Sequence, residues 1–202
     1  MEEVIVTKKQ YNSNPFLTIV TRTYKKPNCL KNNIKSVEMQ TDLDVEQVII
    51  QDTIGKGLAW ADTALNTYKC YNNGEYILVL DDDDKLLSKS LVVLLKDIAN
   101  RYNPNLIVWR GYFSEIKYAL PPLDYRWGKR LDRGLIGSFN YCTKRELYNK
   151  YVFRCTSGIS GDFDFMEGLL SETPPEKIYW VNKILVTTQQ KSFGRPQDKT
   201  CL

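Results

Sequence analysis

The stretch Glu75-Tyr-Ile-Leu-Val-Leu-Asp-Asp-Asp-Asp-Lys85 carries an apolar run, Tyr76 to Leu80, straight into four carboxylates, Asp81 to Asp84. A short apolar run closed by a polar cluster reads as a buried strand. In an open α/β sheet, ligands bind outside the carboxyl ends of the strands. The aspartates are therefore expected at the rim of a sheet. Adjacent like charges repel unless something positive lies among them. Mg2+ or Mn2+ suits such a place, because these ions take one or two carboxylates together with substrate phosphates. A solvated acidic turn is the plain alternative, and the flanking sequence decides between the two.

Upstream, Met1 to Asn14 is polar apart from Val4 to Val6 and reads as a tail or a short edge segment. Phe16 to Thr21 is a β-branched run, a first buried strand. After a polar loop from Arg22 to Asn28, Leu30, Ile34, Val37 and Met39 approximate helical spacing over Cys29–Gln40, with Asn28 as N-cap. Val45 to Gln51 is a second strand, ending at Asp52 before the turn glycines Gly55 and Gly57. Leu58 to Tyr71 reads as a helix with Ala61, Ala64, Leu65 and Tyr68 on one face, stopped by Asn72-Asn73-Gly74. Downstream, Ser88 caps a helix to Tyr102 with Leu91, Leu94, Leu95 and Ile98 inward, and Leu106 to Trp109 begins a fourth strand. Strands alternating with helices on short connections predict a parallel sheet covered on both faces.

The second half is less regular. Tyr112 to Arg133 reads as a hairpin and a loop, Leu135 to Tyr141 as a strand, and Lys144 to Lys150 as a short helix. Gly161 to Ser171 is a helix opening with Asp162 and Asp164, Lys177 to Thr187 a strand, and Gln189 to Leu202 a polar tail or lid.

The totals narrow the chemistry. The chain has 202 residues, 43% hydrophobic and 26% charged, which suits one globular domain. A net charge of +4, spread along the chain, does not point to nucleic acid. No leader and no apolar run of membrane-spanning length is visible, so a soluble, cytoplasmic protein is expected. None of the five cysteines forms a CxxC pair, and free thiols are the expectation. Histidine is absent, which removes Ser-His-Asp and Cys-His catalysis and leaves acid–base work to Asp, Glu, Lys, Tyr or Cys.

Three pieces in order, Leu17-Thr-Ile-Val-Thr-Arg-Thr-Tyr24, Val48-Ile-Ile-Gln-Asp52 and Gly74-Glu-Tyr-Ile-Leu-Val-Leu-Asp-Asp-Asp-Asp84, resemble glycosyltransferase family 2. The match covers residues 16–100 well and runs more loosely to about residue 193. The resemblance implies an α/β, Rossmann-like three-layer architecture with a mostly parallel mixed central sheet, the A-type glycosyltransferase fold. It implies a single domain: residues 16–110 hold a nucleotide-sugar donor, 111–188 an acceptor, and 189–202 form a tail or lid. It sets Arg22, Thr23 and Tyr24 beside the nucleotide base, with Asp52 accepting from a base N–H. Asp81 to Asp84 fit the family's Asp-x-Asp motif, with Asp82 on the ribose, Asp83 on Mn2+ or Mg2+, and Asp81 and Asp84 in support. Asp81 is counted with the nucleotide-sugar contacts. Ser160-Gly-Asp-Phe-Asp-Phe-Met-Glu-Gly-Leu169 resembles the family's Glu-Asp-Tyr-Asp-Leu segment, which makes Asp162 the general base and Asp164 its reserve. Each residue also has a structural reading: Tyr24 packed on its own helix, Asp52 forming a turn, Asp162 and Asp164 complementing a helix dipole.

The chain departs from the family in several places. Gly161 stands where Glu is usual, and Leu65-Asn66 where an Arg-Asn pair is common, with Lys56 the nearby cation that could stand in. Many members carry a histidine near Gln189-Gln190. The Gln-x-x-Arg-Trp motif of processive synthases is absent, which favours single sugar transfers to a glycan, protein or lipid-linked acceptor. The small size resembles compact, including virus-encoded, members. Competing readings are a nucleotidyltransferase of related fold and a non-catalytic nucleotide-sugar-binding module. A haloacid-dehalogenase phosphatase is disfavoured by Lys85 and by the mid-chain motif, and a calcium loop by its missing Gly and Glu.

Overall fold

The computed structural model describes residues 3–154 and 161–189. The apolar runs pair into a nine-stranded mixed sheet in the order β1-β3-β2-β4-β8-β6-β9-β5, with β7 on β6. The strands are β1 (Val4–Gln10), β2 (Leu17–Thr23), β3 (Val45–Asp52), β4 (Tyr76–Val79), β5 (Asp84–Leu86), β6 (Leu106–Phe113), β7 (Tyr118–Leu120), β8 (Tyr141–Lys144) and β9 (Ile178–Thr188). β2, β3 and β4 are parallel, and β6 and β9 run with them, because β4 and β6 are both antiparallel to β8. Val4 to Gln10 is thus an edge strand antiparallel to β3 rather than a tail.

Alternation along the central strands separates two cores. β4 sends Tyr76 and Leu78 to one face, where Val37 of α1 (Pro27–Glu38) and Leu91, Leu95 and Ile98 of α3 (Leu91–Tyr102) cover them. Ile77 and Val79 face the other way. There they meet Ala64 and Leu65 of α2 (Leu58–Thr67), Tyr148 of α4 (Arg145–Lys150), and Phe165, Met166 and Leu169 of α5 (Gly161–Glu172). The three-layer arrangement follows from this two-sided burial.

The sheet is curled. β4 and β5 lie four strand spacings apart in the order, about 19 Å if flat. Yet only residues 80–83 join them, and these include a turn closed by the Asp84 amide donating to the Asp81 carbonyl at 2.9 Å. The far edge must therefore bend back toward β4.

Several local expectations are corrected. α1 starts at Pro27, which is pre-set for a first helical turn, so Asn28 lies inside the helix rather than capping it. Its buried stripe is Cys29, Asn33 and Val37, while Met39 is exposed, because α1 packs over a polar turn and not over a purely apolar face. α3 is preceded by Ser90, not Ser88. The strand expected over Leu135–Tyr141 is a short 3-10 turn, Ser138–Asn140, followed by β8. β8 inserts antiparallel between β4 and β6, so the third and fourth expected strands are not neighbours. Cys70 and Cys142 are free thiols, but Cys29 is disulfide-bonded. Among the described residues no helix is long and apolar enough to cross a membrane. All of the tail after Gln189 lies outside the described residues.

Candidate active site

The carboxyl ends of β2, β3 and β4 meet at one rim. β2 pairs Val20 with Val79 of β4 and Thr23 with Gln51 of β3. The β2–β4 ladder runs on past the strands: the Leu80 amide donates to Val20 O at 2.9 Å and the Asp82 amide to Arg22 O at 3.2 Å. Arg22, Asp52 and the four aspartates are thereby fixed side by side by backbone pairing.

Buried amide side chains hold the aspartate turn. Asn33 Nδ2 donates to the carbonyls of Asp81 at 2.8 Å, Asp84 at 2.9 Å and Leu80 at 3.3 Å. Its Oδ1 accepts from Gln47 Nε2 at 2.7 Å. Gln189 Nε2 donates to the carbonyls of Cys29, Asp82 and Asp84, each at 3.1 Å. The tight turn is thus held through its backbone, which leaves its carboxylates for other partners.

Those partners are two cations. Arg22 makes a two-pronged contact with Asp81, Nε to Oδ1 at 2.7 Å and Nη2 to Oδ2 at 2.6 Å. Its Nη1 donates to Asp62 Oδ1 of α2 at 2.9 Å, and Asp162 Oδ1 of α5 lies 4.0 Å from Nη2. Burial disfavours the Arg22 charge, but Asp81 first, then Asp162 and Asp62, raise its pKa and keep it cationic. Lys26 Nζ lies 2.9 Å from Asp83 Oδ2 and 3.6 Å from Asp82 Oδ1. Burial, reinforced by Asp83 and Asp81 against Lys26 and Thr23, pushes the Asp82 carboxyl up to about 7. Asp84 is buried, and its carboxyl is raised by desolvation and then by Asp83, Asp81 and Asp82.

Asp162 opens α5 and its side chain is 35% exposed. Its Oδ2 accepts from the Ser138 amide at 3.4 Å. Desolvation, with Asp81 and Asp62 adding to it, holds its carboxyl above the ordinary value against the pull of Arg22. Asp164, two residues along, is paired with Arg133 at 2.7 Å.

The end of β3 is as compact. Asp52 Oδ1 accepts from the amides of Ile54 at 2.9 Å and Gly55 at 2.8 Å, and its Oδ2 from Lys56 at 2.6 Å. Asp52 thus ties its own turn, and these bonds lower its pKa against the cost of burial. The Tyr24 hydroxyl lies where a Cβ on Gly55 would fall, 2.4 Å away, so the Tyr24 ring rests on that turn. Gly55 has φ of +86°, a conformation that suits glycine. Lys56 turns away to Glu3 at 2.6 Å, so it does not serve the aspartates.

Sequence reasoning alone does not find Lys26, Asn33, Asp62 or Gln189 as site residues. Asp62 had a signal: an acid on the otherwise buried face of α2. Gln189 had one too, as a polar residue directly after a buried strand.

A divalent cation fits the Asp82–Asp83 pair. Asp82 Oδ2 is buried and has no hydrogen-bond partner, Asp83 is 30% exposed, and two carboxylates with a diphosphate form an ordinary Mg2+ or Mn2+ donor set. Among the described residues no cluster of three or more His, Cys, Asp or Glu could hold a metal unaided.

No family model and no curated protein matches the sequence. Solved structures do match in fold. S. aureus TarS 1–349 in complex with UDP superposes with a TM-score of 0.64 at 13% identity, over 85% of this chain and 60% of that one. TarS 1–349 in complex with UDP-GlcNAc gives 0.63 at 12% identity, over 89% and 60%. The mannosyltransferase PcManGT from Pyrobaculum calidifontis, in complex with GDP-Man and Mn2+, gives 0.59 at 14% identity, over 91% and 60%. The chain therefore has the A-type glycosyltransferase fold and spans about three fifths of the length of these neighbours.

Proposed function

We propose that the chain is a glycosyltransferase that moves a sugar from a nucleoside diphosphate sugar to an acceptor hydroxyl, one sugar at a time and with inversion. The observation that carries the reading is the convergence on Arg22. It contacts Asp81 at the end of β4 and Asp62 of α2, with Asp162 of α5 at 4.0 Å. A partly exposed carboxylate thus stands beside the strand ends where a ligand of this fold class binds. The neighbours bound to UDP, UDP-GlcNAc and GDP-Man support a donor of that kind.

Tyr24, Thr23 and Arg22 line the base side with Asp52, and Asp81 and Asp82 border the sugar–diphosphate. Residues 16–110 form the donor half and 111–188 the acceptor half. Asp83 and Asp82 would hold Mn2+ or Mg2+, which when bound supplies positive charge to the leaving diphosphate. Asp162 takes the proton from the acceptor hydroxyl as its oxygen attacks the anomeric carbon. A single carboxylate base with direct displacement gives inversion. Burial raises its pKa, which strengthens it as a base, and Arg22 opposes that rise.

Calorimetric titration of UDP, GDP and their sugar conjugates, with and without Mn2+, tests the donor site. Transfer by Asp162→Asn tests the base. We expect one nucleotide to bind with Mn2+, and Asp162→Asn to bind it unchanged while losing about 10²–10⁴-fold in turnover. A wild-type rate in that variant removes Asp162 as the base, and no binding of any nucleotide removes the enzyme reading.

A further inference from the structure

We propose that the Lys26 ammonium is the resident cation of the Asp82–Asp83 pair, and that a divalent ion binds there only by displacing it. The inference rests on the metal-assisted donor reading above and assigns that site a built-in competitor. Among the described residues, the ion pairs to Asp82 and Asp83 both come from Lys26. The neighbouring cations are committed elsewhere: Arg22 to Asp81 and Asp62, and Lys25 to the Tyr24 ring at 4.9 Å.

This contact differs from a surface ion pair. The side chains of Lys26 and Asp82 are 15% and 5% exposed. Water screens such a pair weakly, and removing one partner leaves an uncompensated buried charge. The two sides also differ in freedom. The aspartate backbone is tied by Asn33 and Gln189. Lys26 hangs on a flexible four-carbon stem at the position preceding α1. Any exchange of cations therefore moves the lysine and leaves the carboxylates in place. Asp82 Oδ2, which lacks a hydrogen-bond partner, shows that the ammonium leaves a carboxylate lone pair unused. A divalent ion and an ammonium on the same carboxylate repel each other, so metal affinity includes the cost of releasing Lys26. That cost gives the site a threshold: the ion pair holds it closed to weakly bound cations when no anionic donor is present to receive the lysine.

The experiment is a titration of Mn2+ alone into the full-length protein, read by the electron paramagnetic resonance of free Mn2+. It compares wild type, Lys26→Met, Lys26→Gln and Asp83→Asn. Lys26→Met and Lys26→Gln are expected to bind Mn2+ at least about tenfold more tightly than wild type, since like charges at close range in a partly buried site interact by more than the equivalent of one decade. Asp83→Asn is expected to lose binding. Lys26→Gln keeps a hydrogen-bond donor, so it carries the test should the Met variant fail to fold. Equal or weaker Mn2+ affinity in the folded Lys26 variants, with wild type and its Asp83 dependence intact, overturns the Lys26 inference and leaves the metal reading standing. Absence of Mn2+ binding in every variant overturns the Lys26 inference, and the nucleotide titration with and without Mn2+ then decides the metal reading by itself.

Discussion

At the scale of single residues, Arg22 and Asp62 stand near two positions where the sequence departs from the family it resembles. Leu65, where that family often has Arg, is buried in the core with Ala64 and Ile77. Arg22 at the end of β2 carries its guanidinium to Asp81. Gly161, where the family usually has Glu, would place a Cβ 2.2 Å from Asp62 Oδ2. Asp62 therefore occupies the space a longer residue at 161 would need, and supplies a carboxylate from α2. This arrangement makes Arg22 the member whose loss hurts most. Its side chain is 14% exposed, and Arg22→Met would strand Asp81, Asp62 and the nearby Asp162 without a cation. Breaking a buried ion pair from one side costs about 3–5 kcal/mol. Urea denaturation at pH 7 should show a loss of that size, against a smaller one for Asp62→Ala, which leaves Arg22 bound to Asp81. Equal losses would show that Arg22 is not the hub.

At the scale of elements, the aspartate turn depends on a helix whose inward face is partly polar. Asn33 sits in the buried stripe of α1 between Cys29 and Val37, and its amide joins the turn to Gln47 of β3. Asn33→Ala would take one of two donors from the carbonyls of Asp81 and Asp84, which keep the Asp84 amide and Gln189 Nε2, and would remove the bonds to Leu80 O and Gln47. A hydrogen bond contributes about 0.5–1.5 kcal/mol net. We expect a loss of about 1–3 kcal/mol in urea and weaker nucleotide binding, since the turn loses a tether. Unchanged stability would mean that Gln189 alone holds it. This same helix shows what was legible in the chain. β2, β3, β4, α5 and β9 each bury a continuous or regularly spaced apolar set, and their positions could be read from it. α1 could be read as a helix, but its face was displaced by one residue, because apolar spacing favours Leu30 and Ile34 over a buried asparagine. β5 and β8 are three and four residues long, too short for a periodic signal, and their places depend on long-range pairing. The aspartates and Asp162 announced themselves by type and position. Lys26 did not, because its partner lies 57 residues away, and Asp62 showed only as an acid on a buried helix face, its partner being 40 residues away.

For the molecule as a whole, the gathered acids set how stability depends on pH. Asp82, Asp84, Asp62 and Asp162 all have pKa values raised first by burial, Asp82 to about 7. They interact, so they titrate as a cluster rather than one by one. A raised carboxyl holds its proton in the folded state at a pH where the unfolded chain has released it. The folded state then binds more protons, and stability falls as pH rises. The window opens at the ordinary carboxylate range, about 4, and extends to about 7 through Asp82. Asp42, Asp52, Asp124 and Glu172 are shifted down, so their contributions fade only below that window. Lys69 is lowered to about 8 by burial and acts above it. The ligand-free protein should therefore melt at a higher temperature at pH 5 than at pH 7.5, the reverse of a protein stabilised mainly by ionised surface carboxylates. Asp82→Asn removes the group whose pKa is raised to about 7 and should flatten the slope between pH 6 and 7.5. Mn2+ with a bound donor should flatten it too in wild type, because a cation favours the ionised form that burial opposes. Calorimetric scans at four pH values, with and without these ligands, decide the matter: a melting temperature that climbs from pH 5 to 7.5 would mean that Arg22 and Lys26 already neutralise the cluster without any ligand.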